Sequence, residues 1–443
     1  MSTTTTTPDI AIPESVRYRH LRWNFPMFLL DYLIFGITYN LFSPTVVVPE
    51  FISNLTTDPR IIGLAGTLST LCWLAPQLLF SQMITRRSKR RPFLRAALPF
   101  RTLIPLMALV IALAGNTNPG VILVTFLVCY GLFWIGDGLV TVAWADMLGS
   151  TLTPKARATL FGFGQFGVAI GAIFSREVVR KLLAPDAPPF PHNYALLFGI
   201  AGTCFIIAAL ALVSVREEED AVTVPSGPTL RQFLPYIFTV LRDDRRFRYF
   251  TIVRLLLDFV TMALPFYIIF GSDVLKVESS NLVGDSILLI TFGSASASLL
   301  NSQISRHFGP RAVVWLIAVA KVAMASLSLI SVSSGNLTAL HACFFMLGAI
   351  NGSTGAGIFD YVITYAPADR RPIYMGLTNT ISAIGNAAPI IGGFILNQTQ
   401  SYPVLFTTTL IIAIVGALLS LRLADPRQST ALQVQDQVQE AIA

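Results

Sequence analysis

The chain has 443 residues, of which 53% are apolar and only 12% are charged, and its formal net charge at pH 7 is +7. A soluble protein of this length carries about twice that share of charged residues, so the composition excludes a soluble globular protein. The apolar runs are long and continuous, which excludes a transmembrane β-barrel of short alternating strands. The composition therefore predicts an all-α integral membrane protein.

Twelve apolar stretches are long enough to cross a bilayer as helices. In chain order, the predicted spans are residues 24–48, 61–84, 96–115, 119–145, 157–180, 194–215, 249–271, 282–304, 311–332, 337–360, 373–396 and 402–423. They divide the chain into a cytoplasmic N-terminal tail (1–23), a first six-helix half (24–215), a cytoplasmic linker (216–248), a second six-helix half (249–423) and a cytoplasmic C-terminal tail (424–443). In the linker, apolar residues at helical spacing between Leu230 and Leu241 predict an amphipathic helix at the membrane surface.

Lysine and arginine residues are concentrated on one set of loops. With the N-terminus inside, about 23 of them fall on the inner face and about 5 on the outer face, and the densest group runs from Arg86 to Arg95. This asymmetry predicts that both termini are cytoplasmic and that the protein lies in the plasma (inner) membrane. Because topology accounts for the basic charge, we expect no nucleic-acid partner.

One pattern of charged residues and glycines occurs twice, 214 positions apart. The paired positions are Asp137 and Asn351, Asp146 and Asp360, Arg157 and Arg371, Gly162 and Gly376, and Gly171 and Gly385. Two similar helical halves of a membrane protein commonly enclose a binding site that opens alternately to each side. The repeat therefore predicts a carrier.

Twelve predicted helices in two similar halves, a basic loop after the second span and a long cytoplasmic link resemble the major facilitator superfamily over roughly residues 17–425. The loop signature of that family, Gly-x-x-x-Asp-Arg-x-Gly-Arg-Arg, survives in outline at 82–91 and 302–311, where arginine replaces the acidic residue. The resemblance implies two pseudo-symmetric six-helix halves, transport by alternating access and no cofactor. The antiporter-type signature lacks its proline on the fifth span, so import and export both stay open.

Acidic residues end two of the repeated helices at the predicted inner face. Asp146 and Asp360 end the fourth and tenth spans, just before loops that carry Arg157 and Arg371. We expect the two acids to pair with basic residues and to form an inner gate with the arginines that replace the acidic residues of the family signature, Arg86 and Arg306.

Four charged residues lie inside predicted spans whose family counterparts line the central cavity: Asp31, Asp137, Arg254 and Asp258. Each buried charge costs at least about 2.5 kcal/mol on insertion scales. Since one arginine satisfies only one or two carboxylates, at least one acid lacks a fixed partner and can exchange a proton, with Asp31 the first candidate and Asp137 the second. We expect all four in one cavity, with the proton as coupling ion. The competing interpretation is a structural ion-pair network.

Two further cations, Arg101 and Lys321, occupy equivalent positions on the third and ninth spans. Arg101 is expected to reach the inner surface with its long side chain. Lys321 lies roughly 15 Å deep by the helix rise, so we expect a carbonyl or carboxylate partner for it.

Aromatic and amide side chains complete the predicted cavity: Tyr32, Tyr39, Asn40, Trp134, Gln165, Asn351, Asn379 and Asn386. The set suits an amphipathic organic solute or a sugar. No nucleotide-binding loop or paired metal-ligand motif occurs, so an enzyme, a metal and a cofactor are not expected. We predict a monomeric secondary active transporter, a symporter or antiporter of a small organic solute. The alternatives are an uncoupled facilitator and a non-transporting membrane sensor or lipid-handling scaffold.

Overall fold

The computed structural model describes residues 18–77, 80, 91–115, 117–217, 239–367 and 370–427. Throughout these ranges the regular elements are helices, and no strand is present. Ten helical stretches within them are long and apolar enough to cross a membrane. The all-α membrane fold predicted from the composition is therefore confirmed.

Each predicted span overlaps a helix in the described ranges, and the ten stretches above are α3 to α12. The first six are α1 (Leu21–Leu41), α2 (Pro59–Leu74), α3 (Arg91–Ala114), α4 (Pro119–Thr151), α5 (Pro154–Leu182) and α6 (His192–Val213). The second six are α7 (Arg245–Asp273), α8 (Ser279–Phe308), α9 (Pro310–Ser334), α10 (Leu337–Tyr365), α11 (Tyr374–Thr399) and α12 (Tyr402–Ser420). The helix predicted in the linker lies almost wholly outside the described residues, as does Arg86.

Side-chain caps and prolines set the start of several helices. Asp58 precedes Pro59 and accepts a hydrogen bond from the backbone N–H of Arg60, and Thr153 caps α5 in the same way. Proline suits the first helical position because the N–H that it lacks has no partner there. The Arg60 side chain also hydrogen-bonds the Asp58 carboxylate, which lowers the pKa of Asp58 below its ordinary value. These local signals place α2 and α5 close to their predicted boundaries.

Several helices depart from α-helical geometry near proline or glycine, among them α7, α10 and α11. α7 passes through a 3₁₀ turn at Val260–Ala263, just before Pro265. α11 is broken just ahead of Pro389, because a proline has no N–H for the helical hydrogen bond. α10 contains a π turn at Gly355–Phe359, which holds more residues than an α turn.

Two boundaries differ from prediction in ways that matter for the site. α1 ends at Leu41 rather than at residue 48, because Pro44 disfavours helix at the residue before it, and a short external helix, Val47–Ser53, follows. α3 starts at Arg91 rather than at residue 96. Arg101 therefore sits about ten residues into its helix, roughly 15 Å along the axis instead of half that depth.

Glycines let α5 pack closely on α1. An added Cβ would lie 2.5 Å from Tyr32 at Gly164, 2.3 Å from Leu33 at Gly167 and 2.2 Å from Ile37 at Gly171. Gly162, by contrast, has no neighbour within 4 Å of that position. Small residues at these contacts bring the two helix backbones together, which positions the polar face of α1.

Candidate functional site

A cavity of about 430 Å³ lies between the two halves. Its wall comes mainly from α1, α4 and α5 of the first half, with Arg101 from α3, and from α8 and α10 of the second half. Seven of the residues predicted for the cavity line it: Asp31, Tyr32, Tyr39, Asn40, Asp137, Gln165 and Asn351. The volume falls in the range of small-molecule pockets.

One cation holds both carboxylates of this wall. Nη1 of Arg101 lies 2.8 Å from Oδ1 of Asp31, and Nη2 lies 3.5 Å from Oδ1 of Asp137. The guanidinium carbon also lies 4.8 Å from the centre of the Phe35 ring. Asp31, Arg101 and Asp137, here called the first-half cluster, are all buried.

The expectation that Arg101 reaches the inner surface is wrong. Only 3% of the residue is exposed, because the early start of α3 carries it to the depth of Asp31. A guanidinium at that depth is stable only beside carboxylates, and two are present.

A second group of charges lies in the other half. Nε of Arg254 is 2.7 Å from Oδ2 of Asp258, and Nζ of Lys321 is 3.4 Å from Oδ1 of the same carboxylate. Lys321 also donates to the carbonyl of Leu257 at 2.6 Å, so the carbonyl and carboxylate partners expected for it are both present. The Ser382 hydroxyl donates to Asp258 at 2.9 Å and accepts from Arg254 at 3.0 Å. Arg254, Asp258 and Lys321 are called the second-half cluster below.

The four charged residues expected in one cavity are thus divided between two clusters. Arg254 and Asp258 do not line the cavity, and the ion pair that Arg254 makes within the described residues is with Asp258, not Asp137. All four lie on the helices predicted from the sequence. However, Arg101 contacts the two acids of the first half and Lys321 contacts the acid of the second half, so each half forms a separate network.

Three other predicted residues are not among those that line the cavity: Trp134, Asn379 and Asn386. Trp134 packs edge-on against Tyr39, with ring centres 6.1 Å apart. Asn386 donates to the backbone carbonyl and the hydroxyl of Ser382, which places it beside the second-half cluster.

Aromatic rings form part of the cavity wall, and those of Tyr32 and Trp144 are among them. Tyr32 stacks on Trp144 with centres 6.3 Å apart, and Phe161 meets both rings edge-on at about 6 Å. The Tyr32 hydroxyl donates to the side-chain carbonyl of Gln165 at 3.2 Å. Trp144 was not predicted as a cavity residue, although it follows Asp137 by seven positions and so shares its helix face.

The predicted inner gate differs from expectation in its second copy. Oδ2 of Asp360 accepts a hydrogen bond from the Ser305 hydroxyl at 2.6 Å, and no Asp360–Arg306 ion pair occurs among the described residues. Arg306 is exposed at the end of α8, and its backbone carbonyl accepts from Arg427. Ser305, one position earlier, faces α10 instead. Arg371 is likewise exposed.

In the first copy, the Arg157 guanidinium lies close to Gly149 on α4, 3.7 Å from where a Cβ would stand. Asp146, which is half-buried, lies on the same helix. Arg86, the expected partner of Asp146, lies outside the described residues.

The two halves meet toward the predicted external face. The Ser272 hydroxyl donates to Glu50 of the short external helix at 3.2 Å, and Ser279 donates to the other carboxylate oxygen. Nη2 of Arg176 on α5 lies 2.8 Å from Asp285 on α8. These contacts, here called the external seam, were not predicted, because their partners are more than a hundred residues apart.

Backbone also closes this seam. A Cβ added at Gly63 of α2 would lie 2.2 Å from the carbonyl oxygen of Pro389, and one at Gly393 of α11 would lie 2.4 Å from that of Pro59. α2 and α11 therefore cross at contact distance. Among the described residues, no group of three or more histidine, cysteine or acidic side chains could hold a metal ion.

Comparison with known proteins identifies the family. A sequence model described as Major Facilitator Superfamily matches residues 28–388, with a second match over 279–442. Uncharacterized proteins of Mycobacterium tuberculosis and Mycobacterium bovis are 25% identical over 322 residues, which is 71% of this chain. The chain covers 61% of the length of these relatives.

Solved structures share the fold across almost the whole chain. A bacterial homologue of the iron transporter ferroportin in an inward-facing state has a TM-score of 0.67 at 12% identity and covers 91% of this chain and 98% of its own. The xylose transporter XylE from E. coli in an inward-open conformation has a TM-score of 0.65 at 14% identity, covering 92% and 98%. The nucleoside transporter NupG has a TM-score of 0.63 at 14% identity, covering 90% and 97%. The chain is therefore a multi-pass membrane protein of the major facilitator superfamily.

Proposed function

We propose that this chain is a proton-coupled secondary transporter that moves a small organic solute across the plasma (inner) membrane by alternating access, with both termini in the cytoplasm. The observation that carries the proposal is the first-half cluster, in which two buried carboxylates of the cavity wall share one guanidinium.

The charge count of that cluster supports proton exchange. With both carboxylates ionised it carries one uncompensated negative charge, and a buried net charge is costly in a membrane. Uptake of one proton by Asp31 or Asp137 neutralises the cluster, as would a bound cation. A group that gains or loses a proton according to the occupancy of its cavity is what coupling requires.

The second-half cluster has no uncompensated carboxylate. Asp258 is contacted by two cations and one hydroxyl, so its negative charge is fully compensated within the cluster. We therefore assign proton exchange to the first half and a structural role to the second. This replaces the single-cavity arrangement expected from the sequence.

The external seam supports alternating access. Within the described residues, the side-chain hydrogen bonds and ion pairs between the halves lie toward the predicted external face or at mid-depth, where Thr67 donates to the carbonyl of Ala387. Such an arrangement corresponds to a carrier closed to the outside. Opening to the outside requires that these contacts part.

Reconstitution in liposomes tests the proposal. A panel of radiolabelled organic solutes is offered to the purified protein under an imposed proton gradient. We expect at least one solute to accumulate, and accumulation to vanish when a protonophore collapses the gradient. Asp31→Asn should abolish accumulation while exchange at saturating solute survives. Asp186→Asn, which changes an exposed loop acid, is the matched control.

Other outcomes point to the alternatives. Accumulation that survives the protonophore would indicate another coupling ion, and equilibration without accumulation in the parent protein would indicate a facilitator. Absence of transport for every solute, together with unchanged cysteine accessibility on both faces across conditions, would indicate a sensor or lipid-handling scaffold.

A further inference from the structure

The charges that line the cavity are unbalanced. Among its described lining residues the charged side chains are Asp31, Asp137 and Arg101, which sum to one negative charge when all are ionised. Arg101 is already committed to the two carboxylates and to the face of Phe35. An anionic solute would thus meet a wall of net negative charge, in which both terminal nitrogens of the guanidinium already contact carboxylates.

The groups that face the two carboxylates bring no second cation. Arg101 comes from α3, Trp73 from α2 and Trp144 from α4. The polar side chains that α5 and α8 contribute to the wall are all neutral, namely Gln165, Thr291 and Ser294. A cation that enters the cavity therefore has no resident competitor except Arg101 and the proton.

Aromatic faces stand beside this negative charge. Tyr32 directly follows Asp31 in the chain, and it stacks on Trp144, with Phe161 edge-on to both. Rings of this kind attract cations through their negatively polarised faces, and the attraction is strongest where water is excluded. Gln165 already accepts from Tyr32, so fewer hydrogen-bonding groups remain for a polyhydroxylated solute.

Resting on the proposed transport function, we infer that the substrate class is an organic cation with an apolar or aromatic body. The cation and the proton are alternative ligands of the first-half cluster: a monovalent cation enters as one proton leaves Asp31 or Asp137, and the charge of the cluster is neutralised in either state. The exchange makes the carrier an antiporter.

Two ions of matched shape and opposite charge test this inference. Tetraphenylphosphonium and tetraphenylborate are offered separately to the detergent-purified full chain, with protein-free micelles as the partition control. We expect tetraphenylphosphonium to bind at least about tenfold more tightly than tetraphenylborate, because only the cation complements the wall. Its binding should weaken as pH falls, with about one proton released for each cation bound.

Variants locate the effect. Asp31→Asn and Asp137→Asn should each weaken tetraphenylphosphonium binding about tenfold or more and remove its pH dependence, whereas Asp186→Asn should change neither. Equal or tighter binding of the borate, or phosphonium binding that is indifferent to pH in the parent protein, would overturn the inference. These two readouts need no variant, so misfolding of a mutant does not weaken the test.

Failure of this inference is distinguishable from failure of the proposed function. If a neutral or anionic solute accumulates under a proton gradient while tetraphenylphosphonium does not bind, the carrier stands and the substrate class is wrong. If tetraphenylphosphonium binds and releases a proton but no solute crosses the membrane, the site prefers cations and the proposed transport function is wrong.

Discussion

The two buried charge clusters occupy related places in the two halves but have opposite net charges. In the first, one arginine faces two carboxylates, and in the second, one carboxylate faces two cations. Their cations Arg101 and Lys321 are equivalent positions of the repeat, whereas the acid Asp137 corresponds to the neutral Asn351. The repeat has kept a buried cation while the acids around it diverged.

This difference in charge gives the two halves different roles, although their backbones are related by the repeat. The first-half cluster lines the cavity and has a charge left over for exchange. The second-half cluster ties α7, α9 and α11 together through Asp258, Lys321 and Ser382. Similar halves therefore need not share a chemical role, and each cluster should respond differently to the same substitution.

The largest difference is expected when the equivalent cations are removed. Arg101→Met leaves Asp31 and Asp137 buried without their cation, which should lower the free energy of unfolding by about 3–5 kcal/mol. Lys321→Met leaves the Arg254–Asp258 pair at 2.7 Å in place, so we expect a loss of about 1 kcal/mol. Unfolding of the purified variants in detergent micelles measures both.

The stabilities of Arg101→Met and Lys321→Met should also depend differently on pH. Protonation removes the stranded charge in Arg101→Met, so its stability deficit should shrink as pH falls into the mildly acidic range. Lys321→Met should show no such recovery. Equal losses for the two variants, or a deficit of Arg101→Met that grows in acid, would contradict the assignment of opposite charges.

Removal of an acid should destabilise the second-half cluster more than the first-half cluster. Asp258→Asn leaves the buried Lys321 and the partly buried Arg254 without a carboxylate and should cost about 3 kcal/mol. Asp137→Asn leaves the Arg101–Asp31 contact at 2.8 Å and should cost about 1 kcal/mol. Adding Lys321→Met to Asp258→Asn should restore part of the loss, since it removes one stranded cation. No restoration in the thermal unfolding of the double variant would show that charge is not the cause.

Two glycines at equivalent positions give a smaller contrast. A Cβ at Gly385 would lie 2.6 Å from the Cβ of Asp258, in the second-half cluster, while one at Gly171 would meet only the side chain of Ile37. Gly385→Ala should cost about 1–3 kcal/mol and Gly171→Ala less, because an isoleucine side chain can adjust its rotamer. Thermal unfolding compares them, and a larger loss for Gly171→Ala would refute the difference in environment.

The smallest effect is expected at the inner end of the second half. Arg427 donates to the carbonyl of Ser305 at 2.8 Å, whereas the Arg306 side chain is exposed. Arg427→Gln should cost about 1 kcal/mol and Arg306→Gln less than about 0.5 kcal/mol. A measurable loss of stability for Arg306→Gln alone would support the ion pair with Asp360 that the sequence predicts.

Hydropathy was sufficient to predict the helices, because a bilayer requires long apolar segments wherever the chain crosses it. It was insufficient for Arg101, since a shift of five residues in the start of α3 moves that side chain by roughly 7 Å along the axis. It also gave no indication of the role of Glu50, whose partners Ser272 and Ser279 belong to the other half. Four of the six α1 residues that line the cavity were predicted, but the partition of the charges depended on these long-range contacts.

The π turn of α10 changes which way the residues after it face, compared with the equivalent residues of α4. An extra residue in a helical turn rotates everything that follows by roughly 100° relative to an uninterrupted α-helix. α4 is an unbroken α-helix over Pro119–Thr151, so Asp146 and Asp360 lie equally far along the sequence repeat yet out of phase around their helix axes. The two inner ends therefore present different faces to their neighbours. A chimera in which α4 replaces α10 would place the acid on a different side of that helix, away from Ser305 of α8.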